Sequence, residues 1–204
     1  MKRIDFISKQ TNGYKTVLDI GCDHGLVLKK AFQKGYIEKG IASDLREKPL
    51  LSAKNNLKQY PVTFYQSNGF EGIKEDFDLA VICGMGAILI TEILSKAPTK
   101  KKDFLLGAND RLEELRVWLE SNHFKIIDES VIYDKFYYVF IKVTEGTMKL
   151  SKEDILVGPV LKKKPESKDY YRHLVKYYED LLNKIDLQKK ANIIDKINFL
   201  KNNL

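Results

Sequence analysis

Residues 125–133 (KIIDESVIY) and 136–143 (FYYVFIKV) are two β-rich runs joined by Asp134-Lys135 alone. So short a connection forces the strands antiparallel, because a parallel return needs a crossover of a dozen residues. The chain ahead of them reads differently. Apolar, β-prone runs at 17–20, 39–44, 62–66, 77–83 and 103–108 alternate with helical patterns at 26–32, 47–58, 87–94 and 112–119. Leu112, Leu115, Trp118 and Leu119 show the apolar spacing of three and four that marks a helix with one buried face. Pro49 fits the first turn of its helix, and Gly35 suits a C-cap. Strand-helix alternation ending in a hairpin predicts an α/β fold: a doubly wound, mostly parallel sheet with one antiparallel strand.

Beyond Thr144 the pattern changes again. Gly158-Pro159 and Lys162-Lys163-Lys164-Pro165 read as a linker, and residues 166–204 contain neither glycine nor proline. Tyr171, Leu174, Tyr178, Leu181 and Ile185 follow a heptad seam, and Ile193, Ile197, Leu200 and Leu204 form a second one. The eight-residue step from Ile185 to Ile193 breaks the phase. Two helices packed as an antiparallel coiled coil, turning near 186–190, are the favoured reading; one bent helix competes with it. The expected division is a sheet domain at 1–148 and a small helical domain at 149–204.

Charge is distributed unevenly. The chain carries +7 at pH 7, with 35 basic and 28 acidic residues. Residues 151–204 contribute +4 of this, more than half the excess in a quarter of the length. A polyanionic partner fits that bias. The stretch MKRIDFIS places charge where a signal peptide would be apolar, and no run of about 18 apolar residues occurs. Two cysteines, Cys22 and Cys83, are too few for a disulfide framework or a zinc cluster. The expectation is a cytoplasmic protein with no membrane and no metal partner, its cysteines serving as small packing residues and the chain a monomer.

In an open α/β sheet, ligands collect beyond the carboxyl ends of the strands at the switch point. The first strand ends there in VLDIGCDHG, residues 17–25. Gly21 lets the backbone turn without a Cβ clash, and Gly25 allows close approach where the helix starts. The G-x-x-x-G spacing is not the G-x-G-x-x-G of dinucleotide binders. Asp19 is placed to accept from an amino-acid ammonium. Asp44, at the end of the second strand, can accept from both hydroxyls of a ribose. Asn68 follows the third strand and could pair with an adenine edge. Cys22, His24, Leu45 and Gly69 lie beside these residues, and Gly84 and Met85 end the fourth strand. A bare Gly84-Met85-Gly86 replaces the Asn/Asp-Pro-Pro-aromatic of exocyclic-amine methylases and leaves room for a flat ring.

The hairpin-ended sheet resembles the class I methyltransferases, whose sheets are Rossmann-like. DIGCDHG, then ICGMGA about 60 residues on, a Gly-Pro near 158 and a helical tail together resemble the bacterial tRNA (adenine(22)-N1)-methyltransferases over essentially the whole chain. The resemblance implies that fold with a small coiled-coil domain, S-adenosylmethionine as methyl donor, and N1 of adenine 22 in tRNA as acceptor. Two departures are visible: Ala87 stands where the family has a further glycine, and Gly107-Ala108-Asn109 replaces Gln-Pro-Asn. Asn109 and Gly86 are the expected adenine-pocket residues.

Adenine N1 has a lone pair when neutral, so no general base must create the nucleophile, and alignment could supply much of the rate. The product is cationic. Asp23 is the candidate catalytic residue, stabilising that charge or orienting the ring; the alternative is that Asp23 and His24 cap the helix and bind cofactor. His24 is expected to hydrogen-bond rather than act as a base, and His123 and His173 fall outside the site. For RNA phosphates the candidates are Lys100, Lys101, Lys102, Lys162, Lys163, Lys164 and Arg172. Tyr170 and Tyr177 are expected to be exposed and free to stack on bases. A methyltransferase for another substrate and a non-catalytic RNA-binding protein are the competing readings; a nicotinamide oxidoreductase is a distant one.

Overall fold

The computed structural model describes residues 2–99 and 101–204, the side chains of 187–189 aside. Seven strands form one sheet: β1 (Thr16–Ile20), β2 (Lys39–Asp44), β3 (Val62–Gln66), β4 (Leu79–Met85), β5 (Asp103–Ala108), β6 (Phe124–Asp134) and β7 (Phe136–Glu145). Their order is β3-β2-β1-β4-β5-β7-β6. The first five run parallel, and β7 pairs antiparallel with both β5 and β6. The strand order reverses between β1 and β4, which puts the switch point beside the DIGCDHG turn. The hairpin turns on Lys135 alone, which adopts a φ of +65° between the paired Asp134 and Phe136.

Both faces of the sheet are covered, so its central strands are apolar throughout instead of alternating. One face packs α1 (Arg3–Lys9), α2 (Leu26–Gln33) and α3 (Glu47–Leu57) over Val17, Leu79, Val81 and Leu105. The other packs α4 (Ala87–Ser95) and α5 (Leu112–Ser121) over Leu18, Ile82, Phe104 and Leu106. Helix α1 has no counterpart in the expected element list; its seven residues are too few to establish a period against the charges at Lys2, Arg3 and Asp5.

The tail resolves into α6 (Lys152–Val157), a 3-10 turn at Leu161–Lys163, α7 (Ser167–Leu182) and α8 (Leu187–Asn202). The four-residue break between α7 and α8 decides for the helical hairpin over the bent helix, and Lys201 of α8 pairs with Glu179 of α7 at 2.8 Å. Of the two expected seams, Tyr171, Ile197 and Leu200 are buried, Leu174, Tyr178, Leu181, Ile185 and Ile193 are half-buried, and Leu204 is exposed; Val175, outside the seams, is buried too. The buried residues among them also belong to the apolar cluster beneath α5 and the sheet. The tail is thus packed onto the sheet unit, not held on a tether.

The segment expected to be a linker is the fastening. On α5, Arg116 points inward and is 1% exposed, as is Glu129 of β6. Arg116 Nε donates to Glu129 Oε1 at 2.9 Å, and its Nη1 donates to the carbonyls of Ile155 and Leu156. Glu129 Oε2 accepts from the amides of Val160 and Leu161 at 2.9 and 3.0 Å. Tyr171 Oη donates to the Val157 carbonyl at 2.7 Å. Gly158, at a φ of +92°, lies against this pair; a Cβ there would sit 2.5 Å from Glu129 Oε2. No side chain fits, which explains the glycine of the Gly-Pro segment.

Candidate active site

The ends of β1, β2 and β4 and the loop after β3 open into a cavity of about 460 Å³. Its base is the turn at 21–25. The amides of Gly21 and Cys22 both donate to the Ser43 carbonyl, at 2.8 and 2.9 Å, and Gly25 N–H donates to Cys22 O at 2.7 Å. The turn is therefore fastened to β2 before any ligand binds. Gly21 has a φ of +72°, and a Cβ on it would meet the Met85 methyl at 2.2 Å. A Cβ on Gly25 would come within 2.6 Å of Leu57, because α2 begins hard against α3.

Asp23 holds a φ of +49°, an uncommon conformation for a residue with a side chain and one that costs about 1–3 kcal/mol. Its amide donates to Asp44 Oδ2 at 3.1 Å, and its carboxylate lies 3.7 Å from His24 Nε2. His24 Nδ1 shares a 2.7 Å hydrogen bond with the Ser52 hydroxyl of α3. Neither side chain caps α2, whose N-cap is Gly25 without a side-chain bond. The helix-capping alternative is set aside, and the carboxylate of Asp23 borders the cavity.

Two carboxylates are buried here in different ways. Asp44 accepts from the amides of Asp23 and Arg46, the latter at 2.9 Å, and is braced on both oxygens. Asp19 is 5% exposed, and its Oδ2 has no hydrogen-bond partner among the described residues. Loss of hydration, aided by the nearby charge of Asp44, pushes its carboxyl up to about 7. A buried acceptor left unpaired costs about 1–3 kcal/mol. It faces a cavity, so an incoming cation can repay that cost.

Strand β4 breaks register against β5 between Cys83 and Met85, with Gly84 at a φ of +83°. This bulge turns Met85 over Gly21, a common device beside ligand sites. Cys83 and Cys22 are free thiols that both border the cavity, and burial pushes each thiol well up, away from thiolate character. Gly107 is required by Cys83, whose Sγ would be 2.9 Å from a Cβ there.

The structure gathers most of the expected residues. Asp19, Gly21, Cys22, Asp23 and His24 line the cavity from the first turn; Asp44, Leu45, Asn68 and Gly69 line it from β2 and the loop after β3; Gly84 and Met85 close the β4 side. Gly25 stands behind the lining as a packing residue. Gly86 and Asn109, the expected adenine-pocket residues, do not line the cavity: Asn109 N–H donates to the Met85 carbonyl at 2.9 Å, and the neighbouring Asp110 caps α4 through the Ala87 amide. The sequence reading missed the roof. Arg3, Ile4 and Ile7 of α1 border the cavity with Arg46, Leu89 and Ile93. The Ile4–Ile7 step of three was the one available signal.

The expected RNA-contacting lysines fare unevenly. Lys102 pairs with Asp76 at 2.8 Å, Lys162 with Asp154 at 2.8 Å, Lys164 with Asp128 at 2.5 Å, and Arg172 with Asp169 at 2.6 Å. Lys101 and Lys163 are exposed, and Lys100 lies outside the described residues. Tyr177 is exposed as expected. Tyr170 is not: it packs against Tyr137 at 5.4 Å, and burial pushes its phenol up to about 12. The hairpin side chains that cover it could not be located from the helical pattern alone. Among the described residues, no group of three or more His, Cys, Asp or Glu is arranged to hold a metal ion. None of the described helices is long and apolar enough to cross a membrane.

The family model of the tRNA (adenine(22)-N(1))-methyltransferases matches residues 17–204. The chain belongs to that family. It is 25% identical to the Bacillus subtilis tRNA (adenine(22)-N(1))-methyltransferase over 98% of its own length and 94% of the relative's. A Streptococcus pneumoniae structure in complex with S-adenosyl-L-methionine superposes with a TM-score of 0.86 at 27% identity, covering 100% of this chain and 99% of the other. The M. capricolum TrmK structure, bound to the cofactor product S-adenosyl-homocysteine, does so with a TM-score of 0.84 at 26% identity over 99% and 96%.

Proposed function

We propose that this protein methylates N1 of adenine 22 in tRNA with S-adenosylmethionine, as a cytoplasmic monomer. The observation that carries the site assignment is the buried Oδ2 of Asp19, unpartnered among the described residues, in a side chain of the cavity lining at the switch point. An ammonium group there would satisfy it. Asp44 would take the ribose hydroxyls in place of part of its backbone bracing, Asn68 the adenine edge, and the exposed Leu45 the adenine face. Bound S-adenosylmethionine supplies a sulfonium-activated methyl group.

The acceptor needs alignment, not activation. The N1 lone pair forms the new bond to the methyl carbon as the bond from carbon to sulfur breaks, its electron pair staying on sulfur. The ring gains a positive charge. Asp23 lines the cavity, its carboxylate 3.7 Å from His24 Nε2, and would meet that charge. The helical segment 149–204 would add phosphate contacts through the exposed Lys163.

Mass spectrometry of nucleosides from tRNA incubated with enzyme and donor tests the reaction; the expected product is N1-methyladenosine, and methylation at N6 alone would overturn the assignment. For Asp23→Asn, turnover should fall about 10²-fold while cofactor affinity holds. Normal turnover in that variant removes Asp23 from the chemistry.

A further inference from the structure

A second cavity, of about 670 Å³, lies beside the first, between α1, α2 and the tip of the β6–β7 hairpin. The two share Arg3, Ile4 and Leu26 as a common wall. The groove is built by specific contacts. Arg3 N–H donates to Asp134 Oδ2 at 2.9 Å, and the Arg3 guanidinium sits 5.0 Å over the Tyr138 ring. These fix the hairpin tip to the first turn of α1.

The groove is basic. Lys2, Arg3, Lys29, Lys30 and Lys135 line it against two carboxylates, Asp5 and Asp134. Asp5 pairs with Lys30, and Asp134 is taken by the Arg3 amide. Lys29 and Lys135 form no ion pair among the described residues. The lysine runs that dominate the sequence are largely neutralised by carboxylates of the same chain; this groove is not.

The hairpin tip adds aromatic surface. Residues alternate faces along a strand, so Asp134, Phe136 and Tyr138 share the groove side, while Tyr133 and Tyr137 face the other way. Phe136 is 69% exposed and Tyr133 is 62% exposed. On its own side Tyr137 packs against Tyr170 and His173 of α7. The tip therefore separates the groove from the helical tail: Tyr133 leans on Tyr137 at 5.1 Å on the tail side, while Phe136 on the groove side joins no aromatic pair among the described residues.

We propose that this groove holds the RNA strand leading into the methyl-transfer cavity, with Lys29 and Lys135 on phosphates and Phe136 stacked on an unpaired base flanking the target adenine. Free cations beside an exposed ring match single-stranded nucleic acid, whose charge lies on the backbone and whose bases offer flat faces. The shared wall makes the groove continuous with the cofactor site. The target base would pass over Arg3 and Ile4 while its neighbours stay outside. This inference rests on the tRNA reading above.

The test compares Lys29→Ala/Lys135→Asn and Phe136→Ala with the wild type. Asparagine at 135 tolerates the positive φ that alanine would strain. Binding of an unmodified tRNA transcript is measured across a salt series, with S-adenosylmethionine affinity measured alongside. The double variant should bind tRNA about tenfold more weakly, with the slope of log K against log salt shallower by about 2. Phe136→Ala should lose about tenfold, and Phe136→Tyr should retain affinity. Cofactor affinity should be unchanged in all three, since none of the substituted residues lines the cofactor cavity. Unaltered tRNA affinity and salt slope in the double variant and Phe136→Ala, with the wild type methylating the transcript, overturns the groove assignment alone. A wild type that neither binds nor methylates the transcript overturns the tRNA reading as well.

Discussion

Two carboxylates are buried almost equally in this molecule and have opposite surroundings. Glu129, at the junction with the tail, accepts from an arginine and two backbone amides. Asp19, at the end of β1, has an oxygen with no donor among the described residues. A buried charge that is fully paired fixes structure; one left unpaired beside a cavity is held in readiness for a ligand. The same residue chemistry thus serves two ends, and the count of donors around it separates them.

The largest effect is expected at the paired site. Glu129→Ala leaves the Arg116 guanidinium buried without its counterion and two amides without an acceptor. Breaking such a pair costs about 3–5 kcal/mol, or roughly 10 °C in melting temperature for a chain of this size. Denaturant titration would measure it. A loss below about 1 kcal/mol would mean that water replaces the carboxylate and that the tail is not fastened there. For the same reason, removing residues 151–204 would orphan this pair and uncover Leu115, Leu119 and Phe124, so a truncated chain is a poor probe of RNA binding.

At the unpaired site the signs reverse. Asp19→Asn removes a buried charge whose Oδ2 has no partner among the described residues, so stability should hold or rise. Affinity for S-adenosylmethionine should fall about 10- to 100-fold, the worth of a hydrogen bond to a charged group. The pH dependence follows from the carboxyl being raised from 3.8 to about 7. Below about pH 4 it is protonated in both folded and unfolded chains and carries no penalty. Between about 4 and 7 the unfolded chain releases its proton first, so the unliganded fold loses stability as pH rises; above 7 the loss is constant. Cofactor affinity should move the other way, climbing with pH toward 7 as the ionised form becomes available to an ammonium. Calorimetry from pH 5 to 8 on wild type and Asp19→Asn would show it, and a cofactor affinity equally flat in both proteins would remove Asp19 from ammonium binding.

The contrast also explains what the sequence could disclose. The sheet was legible because buried parallel strands are unbroken apolar runs, and the two-residue spacer at Asp134-Lys135 left one geometry for the hairpin. The turn at 21–25 was legible because local backbone needs, such as Gly21 beneath Met85, leave a glycine in the string. Interactions between distant residues were not. Nothing near Arg116 announces Glu129, thirteen positions away on another element, and Gly158-Pro159 read as a linker because its tight contact is with that distant pair. Helix α1 stayed hidden for a related reason: its value lies in covering a cavity made by residues far along the chain. The lysine runs misled in the opposite direction, since their neutralising carboxylates, Asp76 and Asp128 among them, come from other elements.

The smallest effect separates burial from pairing as the source of the difference. Lys162 lies within the same junction as Glu129 and also forms an ion pair, with Asp154 at 2.8 Å and with Glu153 at 3.7 Å. Against burial, which pushes it up, the bonds from Lys162 and Ser151 hold the Asp154 carboxyl below its usual range, and the bond to Asp154 raises Lys162 above its own. This pair is only partly buried, and Asp154 keeps other partners, the hydroxyl and amide of Ser151 in a capping box at the start of α6. Lys162→Ala should therefore cost no more than about 1 kcal/mol, the worth of a pair that water still reaches. A loss approaching that of Glu129→Ala would show that position in the junction, and not the absence of water around the charges, is what makes the Arg116–Glu129 pair matter.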